Sequence, residues 1–288
     1  MSSSLDATFK PTQFGLPSWI VDTKWLEGHL FASDVRIVQV GALDYYSRFH
    51  IPGALLVDFK ELVTVREGVP GMREEVGALQ GLFGRLGIDP KMRVVAYDAS
   101  GGLDAARFIW SLSCLGHRAG AILDGGLAIW MQGNRLIESA IRETTGIDFV
   151  VEPTPLWEAD RERVLAASNG SLDALLLDTR SLREYTGFVL RGPQGHIPGA
   201  LHLNWTDTLV NPQMPLLKPK AELEALFAAV GVTDRAREVI VYCQTAHRAA
   251  QTWLVLRQLG FQSVRLYDGS IAEWGALGLP LVTGEKPR

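Results

Sequence analysis

Cysteine is scarce: Cys114 and Cys243 are the only two in 288 residues. At most they form one disulfide, and nothing at the start of the chain points to an oxidising compartment. Met1 to Lys10 hold no apolar run behind a basic flank, which predicts no secretory signal. No stretch approaches the ~20 apolar residues that a bilayer span needs, so no membrane partner is expected. Both cysteines then read as free thiols in a cytoplasmic protein. Positive charge is also short, with 28 Lys and Arg against 32 Asp and Glu for a net charge of -4. This speaks against nonspecific nucleic-acid binding, which needs a basic face to displace phosphate counterions, but leaves room for a small basic pocket. Apolar residues are plentiful, at 47% against 21% charged, and 288 residues suit two domains with substantial cores.

The chain repeats itself once. His50-Ile-Pro-Gly-Ala54 returns as His196-Ile-Pro-Gly-Ala200, and Val94-Val-Ala-Tyr97 as Val239-Ile-Val-Tyr242. Leu115-Gly116 matches Leu259-Gly260, Asp124-Gly125 matches Asp268-Gly269, and Trp130 matches Trp274. The separations run only from 143 (Trp110 to Trp253) to 146 (His50 to His196). Chance matches would scatter, so a domain has been duplicated.

Each half alternates strand and helix. Arg36–Val40, Arg93–Tyr97, Ala174–Asp178 and Glu238–Tyr242 are short apolar runs of buried-strand length. Helical stretches lie between them, Glu74 to Leu86 and Lys220 to Val230, each ending at a glycine (Gly87, Gly231) suited to a left-handed cap. A further helix follows each Tyr-terminated strand, with Ala249, Trp253 and Leu256 on one side. The predicted class is α/β: two tandem domains, each a mainly parallel sheet flanked by helices on both faces. Domains are expected over 1–137 and 156–288, with the polar stretch 138–155 as linker.

In open parallel sheets, ligands gather beyond the carboxyl ends of strands. The strand ending at Tyr242 delivers Cys243-Gln-Thr-Ala-His-Arg248, and a helix containing Ala249 to Leu259 follows. A thiol placed there meets unpaired N–H groups and the positive end of a helix dipole. Arg248 adds a permanent positive charge. All favour thiolate over thiol, so Cys243 reads as a nucleophile needing no separate base. Cys114 is the contrast: it sits in the helical run Trp110-Ser-Leu-Ser-Cys-Leu115 and reads as core.

The paired halves, the repeated His-Ile-Pro-Gly-Ala, the Asp-Gly…Trp ending and the Cys-led loop resemble the tandem-domain rhodaneses, a family that includes thiosulfate and 3-mercaptopyruvate sulfurtransferases. The resemblance implies a catalytic second domain, a loop whose N–H groups converge on a persulfide of Cys243, and a silent first domain with Asp98 in place of the cysteine. Thiosulfate users of this family carry loops like Cys-Arg-Lys-Gly-Val-Thr, and mercaptopyruvate users Cys-Gly-(Ser/Ala)-Gly-Val-Thr. The present loop is most similar to a bacterial thiosulfate-using variant, Cys-Gln-Thr-His-His-Arg, with Ala246 at its first histidine. Glu184 stands where many members place a substrate-binding arginine; Arg183 and Arg191 are near it in sequence.

The expectation is therefore a sulfurtransferase and a monomer, with no cofactor and no metal. Cys243 is its nucleophile, and Gln244, Thr245, Ala246, His247 and Arg248 bind a small anionic sulfur donor. The acceptor is thiophilic: cyanide, a thiol or an acceptor protein. Two other classes compete. A phosphatase or arsenate reductase of the related fold needs five residues between cysteine and arginine, and here there are four. A noncatalytic rhodanese-like module is the other. His50 and His196 occur in both halves and read as structural rather than as metal ligands. Asp178 and Arg180 read either as an anchor for the neighbouring loop or as an inconsequential surface pair.

Overall fold

A computed structural model describes residues 15–150, 152–189, 192–211 and 213–287. Met1 to Lys10, read above for a secretory signal, and Arg191 lie outside the described residues. Strands run β1 (Ile20–Val21), β2 (Val35–Val40), β3 (Leu55–Val57), β4 (Val63–Arg66), β5 (Val69–Arg73), β6 (Arg93–Tyr97) and β7 (Gly120–Leu123) in the first half. The second half supplies β8 (Glu158–Ala159), β9 (Ala174–Asp178), β10 (Ala200–His202), β11 (Leu209–Asn211), β12 (Met214–Leu217), β13 (Glu238–Tyr242) and β14 (Val264–Tyr267). The expected strands at 93–97, 174–178 and 238–242 form with those bounds, and the one at 36–40 begins a residue earlier.

Two five-stranded sheets result, ordered β1-β7-β6-β2-β3 and β8-β14-β13-β9-β10. Every pairing within them is parallel. The orders correspond strand for strand, as a duplication demands. Such strands are bracketed by crossover helices, which is why their sequences read as unbroken apolar runs rather than alternating ones. Helix 76–85 ends against Gly87 at φ +62°, and helix 220–229 against Gly231 at φ +87°, both left-handed as the sequence suggested.

The chain divides into two compact units. One comprises residues 1–62, 74–154 and 212–217, the other 63–73, 155–211 and 218–288. In the first, Val95, Tyr97, Ala121 and Trp130 belong to the buried core. In the second, Ile240, Tyr242, Tyr267 and Trp274 do the same. Trp130 donates to the Leu136 carbonyl at 2.8 Å, and Trp274 to that of Pro280 at 2.7 Å. The polar stretch after Ile137 is tied along the first unit: His50 N–H donates to Glu138 O at 2.8 Å and Ile147 N–H to Gly84 O at 2.9 Å. Among the described residues no helix is long and apolar enough to cross a membrane.

Candidate active site

β13 lies in the middle of its sheet, between β9 and β14, so its carboxyl end opens where loops from both neighbours meet. Cys243 is the next residue. The helix His247–Gln258 begins five residues after Tyr242, earlier than its apolar spacing suggests, and takes His247 and Arg248 into its first turn. Ala246 makes this possible by adopting φ +60° and ψ -5° at the helix cap. A left-handed alanine costs roughly 1–2 kcal/mol, and the surroundings hold it there.

Ser270 is one of the groups that hold it. Its hydroxyl accepts from Cys243 N–H at 3.2 Å and Ala246 N–H at 3.0 Å, and donates to Tyr267 O at 2.9 Å. Ser270 is fully buried and itself left-handed, at φ +51°. The first half has Gly126 in its place (φ +55°), the residue type that takes this conformation without strain. A serine there is worth its strain because the hydroxyl satisfies two loop N–H groups. The next helix, Ser270–Ala276, adds to the hold: Ile271 N–H donates to Cys243 O at 3.1 Å and Ala272 N–H to Gln244 O at 3.2 Å. Ser270 escaped the sequence reading, although comparing Asp268-Gly-Ser with Asp124-Gly-Gly would have flagged it.

Arg248 is held by a carboxylate. Its two terminal nitrogens donate to the two oxygens of Glu184, both at 2.8 Å. Glu184 also accepts from Ser181 Oγ at 2.6 Å and Ser181 N–H at 3.0 Å, closing a capping box on the helix Leu182–Thr186. Burial pushes the Glu184 carboxyl up, but hydrogen bonds from Arg248 and Ser181 outweigh it and hold the group at about 2. Burial likewise pulls the Arg248 guanidinium down. Its bonds to Glu184 and the attraction of the Cys243 side chain, to which it is also hydrogen-bonded, lift it above its ordinary value. Arg248 is thus a fixed cation at the sulfur. The Ser-x-x-Glu pattern at 181–184 was visible in the sequence, but its link to Arg248, 64 residues away, was not. Arg183, on the same helix, is exposed.

Burial alone does not distinguish the two cysteines, at 3% exposure for Cys114 and 1% for Cys243. Their surroundings do. Cys114 lies at the end of the buried helix Leu103–Cys114, whereas Cys243 has Arg248 beside it and lies in a loop capped from below by Ser270.

The first half shows what such a loop does with an acidic side chain. Asp98 follows β6 as Cys243 follows β13, and its carboxylate accepts N–H bonds from Ser100, Gly102 and Ala105, each at 2.9 Å. Gly102 caps the following helix in the left-handed conformation, as Ala246 does. The first-half loop spans 98–102 and the second 243–246, one residue tighter. Burial raises the Asp98 carboxyl, partly offset by these amides.

The supporting residues are resolved as well. Asp178 and Arg180 form a fully buried pair, 2.6 Å at its shortest, and Arg180 also donates to Gly195 O at 2.7 Å. Of the two readings, the anchor holds. Thr179 donates to Tyr242 O through N–H at 3.0 Å and Oγ1 at 3.1 Å, tying the end of β9 to the residue before Cys243. His196 stacks on Tyr185 at 3.7 Å and His50 on Tyr46 at 3.9 Å, each with Nδ1 on that tyrosine's carbonyl. Among the described residues no group of His, Cys, Asp and Glu is arranged to hold a metal.

Comparison with known proteins agrees with this architecture. The Rhodanese-like domain matches twice, at residues 22–132 and 161–277. A thiosulfate sulfurtransferase of Pseudomonas aeruginosa is 33% identical over 89% of this chain and 93% of its own length. One from Corynebacterium glutamicum is 32% identical over 96% of this chain and 94% of its own. The sulfur carrier protein TtuD of Thermus thermophilus is 31% identical over 94% and 98%. Among solved structures, SseA of Escherichia coli, described with the catalytic mechanism of 3-mercaptopyruvate sulfurtransferases, superposes with a TM-score of 0.79 at 28% identity, covering 88% of this chain and 98% of that one. The chain belongs to the rhodanese family. Within it, this is a tandem protein with two rhodanese-like domains.

Proposed function

We propose that this sulfurtransferase takes sulfane sulfur from thiosulfate onto Cys243 and passes it to a thiophilic acceptor. The observation that carries the proposal is the place of Cys243 beyond the carboxyl end of β13, in a loop leading into the helix whose first turn carries Arg248, itself fixed by two 2.8 Å bonds to Glu184. In the first step the Cys243 thiolate attacks the outer sulfur of thiosulfate. The sulfur–sulfur bond breaks, and sulfite leaves with the electron pair, giving a Cys243 persulfide anion. In the second step cyanide or a thiolate attacks the terminal sulfur, and the Cys243 thiolate is restored as leaving group. Charge is conserved in both steps, so no proton has to move.

Arg248 and the N–H groups of Gln244, Thr245 and His247 are the groups that stabilise the anionic sulfur, as preorganised donors do in an oxyanion hole, whereas the Ala246 N–H expected to join them is taken by Ser270. The three amides on Asp98 support this, since they show the corresponding loop aiming N–H groups at the side chain that follows the strand. A carboxylate cannot carry sulfane sulfur, which leaves the first unit chemically silent. Four residues between Cys243 and Arg248 make a smaller cradle than a tetrahedral phosphate requires.

Incubating the protein with thiosulfate and weighing it intact tests the reading. One added sulfur atom is expected, absent in Cys243→Ser and retained in Cys114→Ser; no gain in the wild type sinks it. The likeness to SseA gives a second donor to test, and steady-state rates with thiosulfate and 3-mercaptopyruvate, measured side by side, choose between the two.

A further inference from the structure

The catalytic unit is not drawn from the second half of the chain alone: residues 63–73 belong to it. They form an antiparallel hairpin, β4 with β5, turned by Glu67 (φ +51°) and Gly68 (φ +80°). Two successive positive φ values make the tight turn whose twist suits a hairpin. Beyond the turn the register slips: Val65 faces Pro70 and Thr64 faces Met72, so Gly71 is the extra residue of a bulge. Bulges re-aim a strand, and they are common beside active sites.

The hairpin is pinned to the catalytic unit. Arg73 N–H donates to Asp268 Oδ2 at 2.7 Å, Arg73 Nε donates to Glu158 Oε1 at 2.8 Å, and Arg66 donates to the Arg73 carbonyl at 2.9 Å. Asp268 stands two residues before Ser270, which carries the Cys243 loop. The bulge therefore shares an anchor with that loop, and it meets it. A Cβ placed on Gly71 would lie 2.8 Å from Thr245 Cβ, 3.3 Å from its Oγ1 and 3.4 Å from its Cγ2. Carbon atoms rest ~3.5–4.0 Å apart, so Gly71 leaves no room for a side chain. The atom it faces is the Cβ of Thr245, fixed to the loop backbone, and not a swinging tip.

We propose that Gly71 is a positioning residue of the sulfur-transfer site, its bare backbone backing Thr245 and so fixing the path of Gln244–Ala246 around Cys243. This rests on the sulfurtransferase reading above. The loop is then held from two sides, by Ser270 and the helix it opens through hydrogen bonds, and by the hairpin through the Thr245 side chain. Gly68 supplies the control: it has the same sign of φ in the same hairpin, and a Cβ there meets nothing within 4 Å. Alanine at either position suffers the backbone strain. Only alanine at 71 pushes the loop.

The test uses the full-length protein as wild type, Gly71→Ala and Gly68→Ala, with two readouts: kcat/KM for sulfur transfer from thiosulfate, and the rate of Cys243 alkylation by iodoacetamide at pH 7. Gly71→Ala is expected to lower kcat/KM at least tenfold and to change the alkylation rate severalfold, while Gly68→Ala stays within twofold of wild type in both. Equal effects of the two substitutions would overturn the proposal. Should Gly71→Ala not fold, Arg73→Ala, which removes the side-chain pin to Glu158, is expected to change both readouts in the same way, and wild-type values there would overturn it. Alkylation needs no donor. A wild type that takes no sulfur from thiosulfate, yet whose alkylation still separates Gly71→Ala from Gly68→Ala, would remove the donor assignment and leave the hairpin's hold on the loop standing.

Discussion

Arg248 and Glu184 meet fork to fork, two nitrogens on two oxygens at 2.8 Å, with each side chain 23% exposed. The pair fixes the guanidinium beside Cys243, at the cost of cancelling part of its charge. Orientation outweighs neutralisation here, because a bidentate charged pair holds a planar group in one plane. Glu184→Gln keeps the shape and removes one charged acceptor. It is expected to lower kcat/KM for thiosulfate by roughly tenfold, the equivalent of about 1.4 kcal/mol out of the ~1.5–3 assigned to hydrogen bonds with charged groups. A variant as fast as wild type, or faster, would show that Glu184 serves only to dampen charge.

Ser270 invites a pair of substitutions that separate its strain from its hydroxyl. Ser270→Ala keeps the left-handed φ of +51° and leaves the Cys243 and Ala246 N–H groups without their acceptor. An unsatisfied buried donor costs about 1–3 kcal/mol. Ser270→Gly loses the same bonds but relieves the strain. Denaturant unfolding should rank wild type above Ser270→Gly and Ser270→Ala lowest, with persulfide formation slowed in both. Wild-type stability in Ser270→Ala would contradict this.

His117 makes the first unit sensitive to acid. It is 6% exposed, and burial pulls its imidazole down to about 4 against the weaker upward pull of Asp89. The unfolded chain therefore binds a proton, at ~6.5, before the folded one does. The neutral side chain contributes nothing adverse above that value, and stability is lost as pH falls from ~6.5 through about 4. The loss amounts to ~3 kcal/mol for a shift of this size. Urea unfolding of His117→Asn followed from pH 7 to 4 should show a flatter decline than wild type. Parallel curves would remove His117 as the cause.

Much of this was legible in the chain because it is local or repeated. The strand at 238–242 is a glutamate followed by four apolar positions in a row, and its copy at 93–97 appears 145 residues earlier. The candidate nucleophile was legible because a strand end, a cysteine and an arginine are close in sequence. The helix start was less so: it depends on Ala246 accepting a conformation that alanine resists, and no periodicity reports that. The partners of the loop were not legible at all. Glu184 is 64 residues from Arg248, and Ser270 is 27 from Cys243. Hydrogen bonds across such distances are made by the order of strands in the sheet, which local pattern does not encode. Gly71 is the extreme case, a residue whose significance is the space it leaves.

The bond from Arg73 to Asp268 spans 195 residues. During synthesis at ~5–20 residues per second, the hairpin leaves the ribosome about 10–40 s before its anchor exists. Within that interval Glu158, the hairpin's other anchor, is made 85 residues after Arg73, and β13 with the thiol follows before Asp268 exists. The candidate nucleophile is thus made before the residues that tie the hairpin and its own loop in place, so a nascent chain ending at Cys243 still lacks both Asp268 and Ser270.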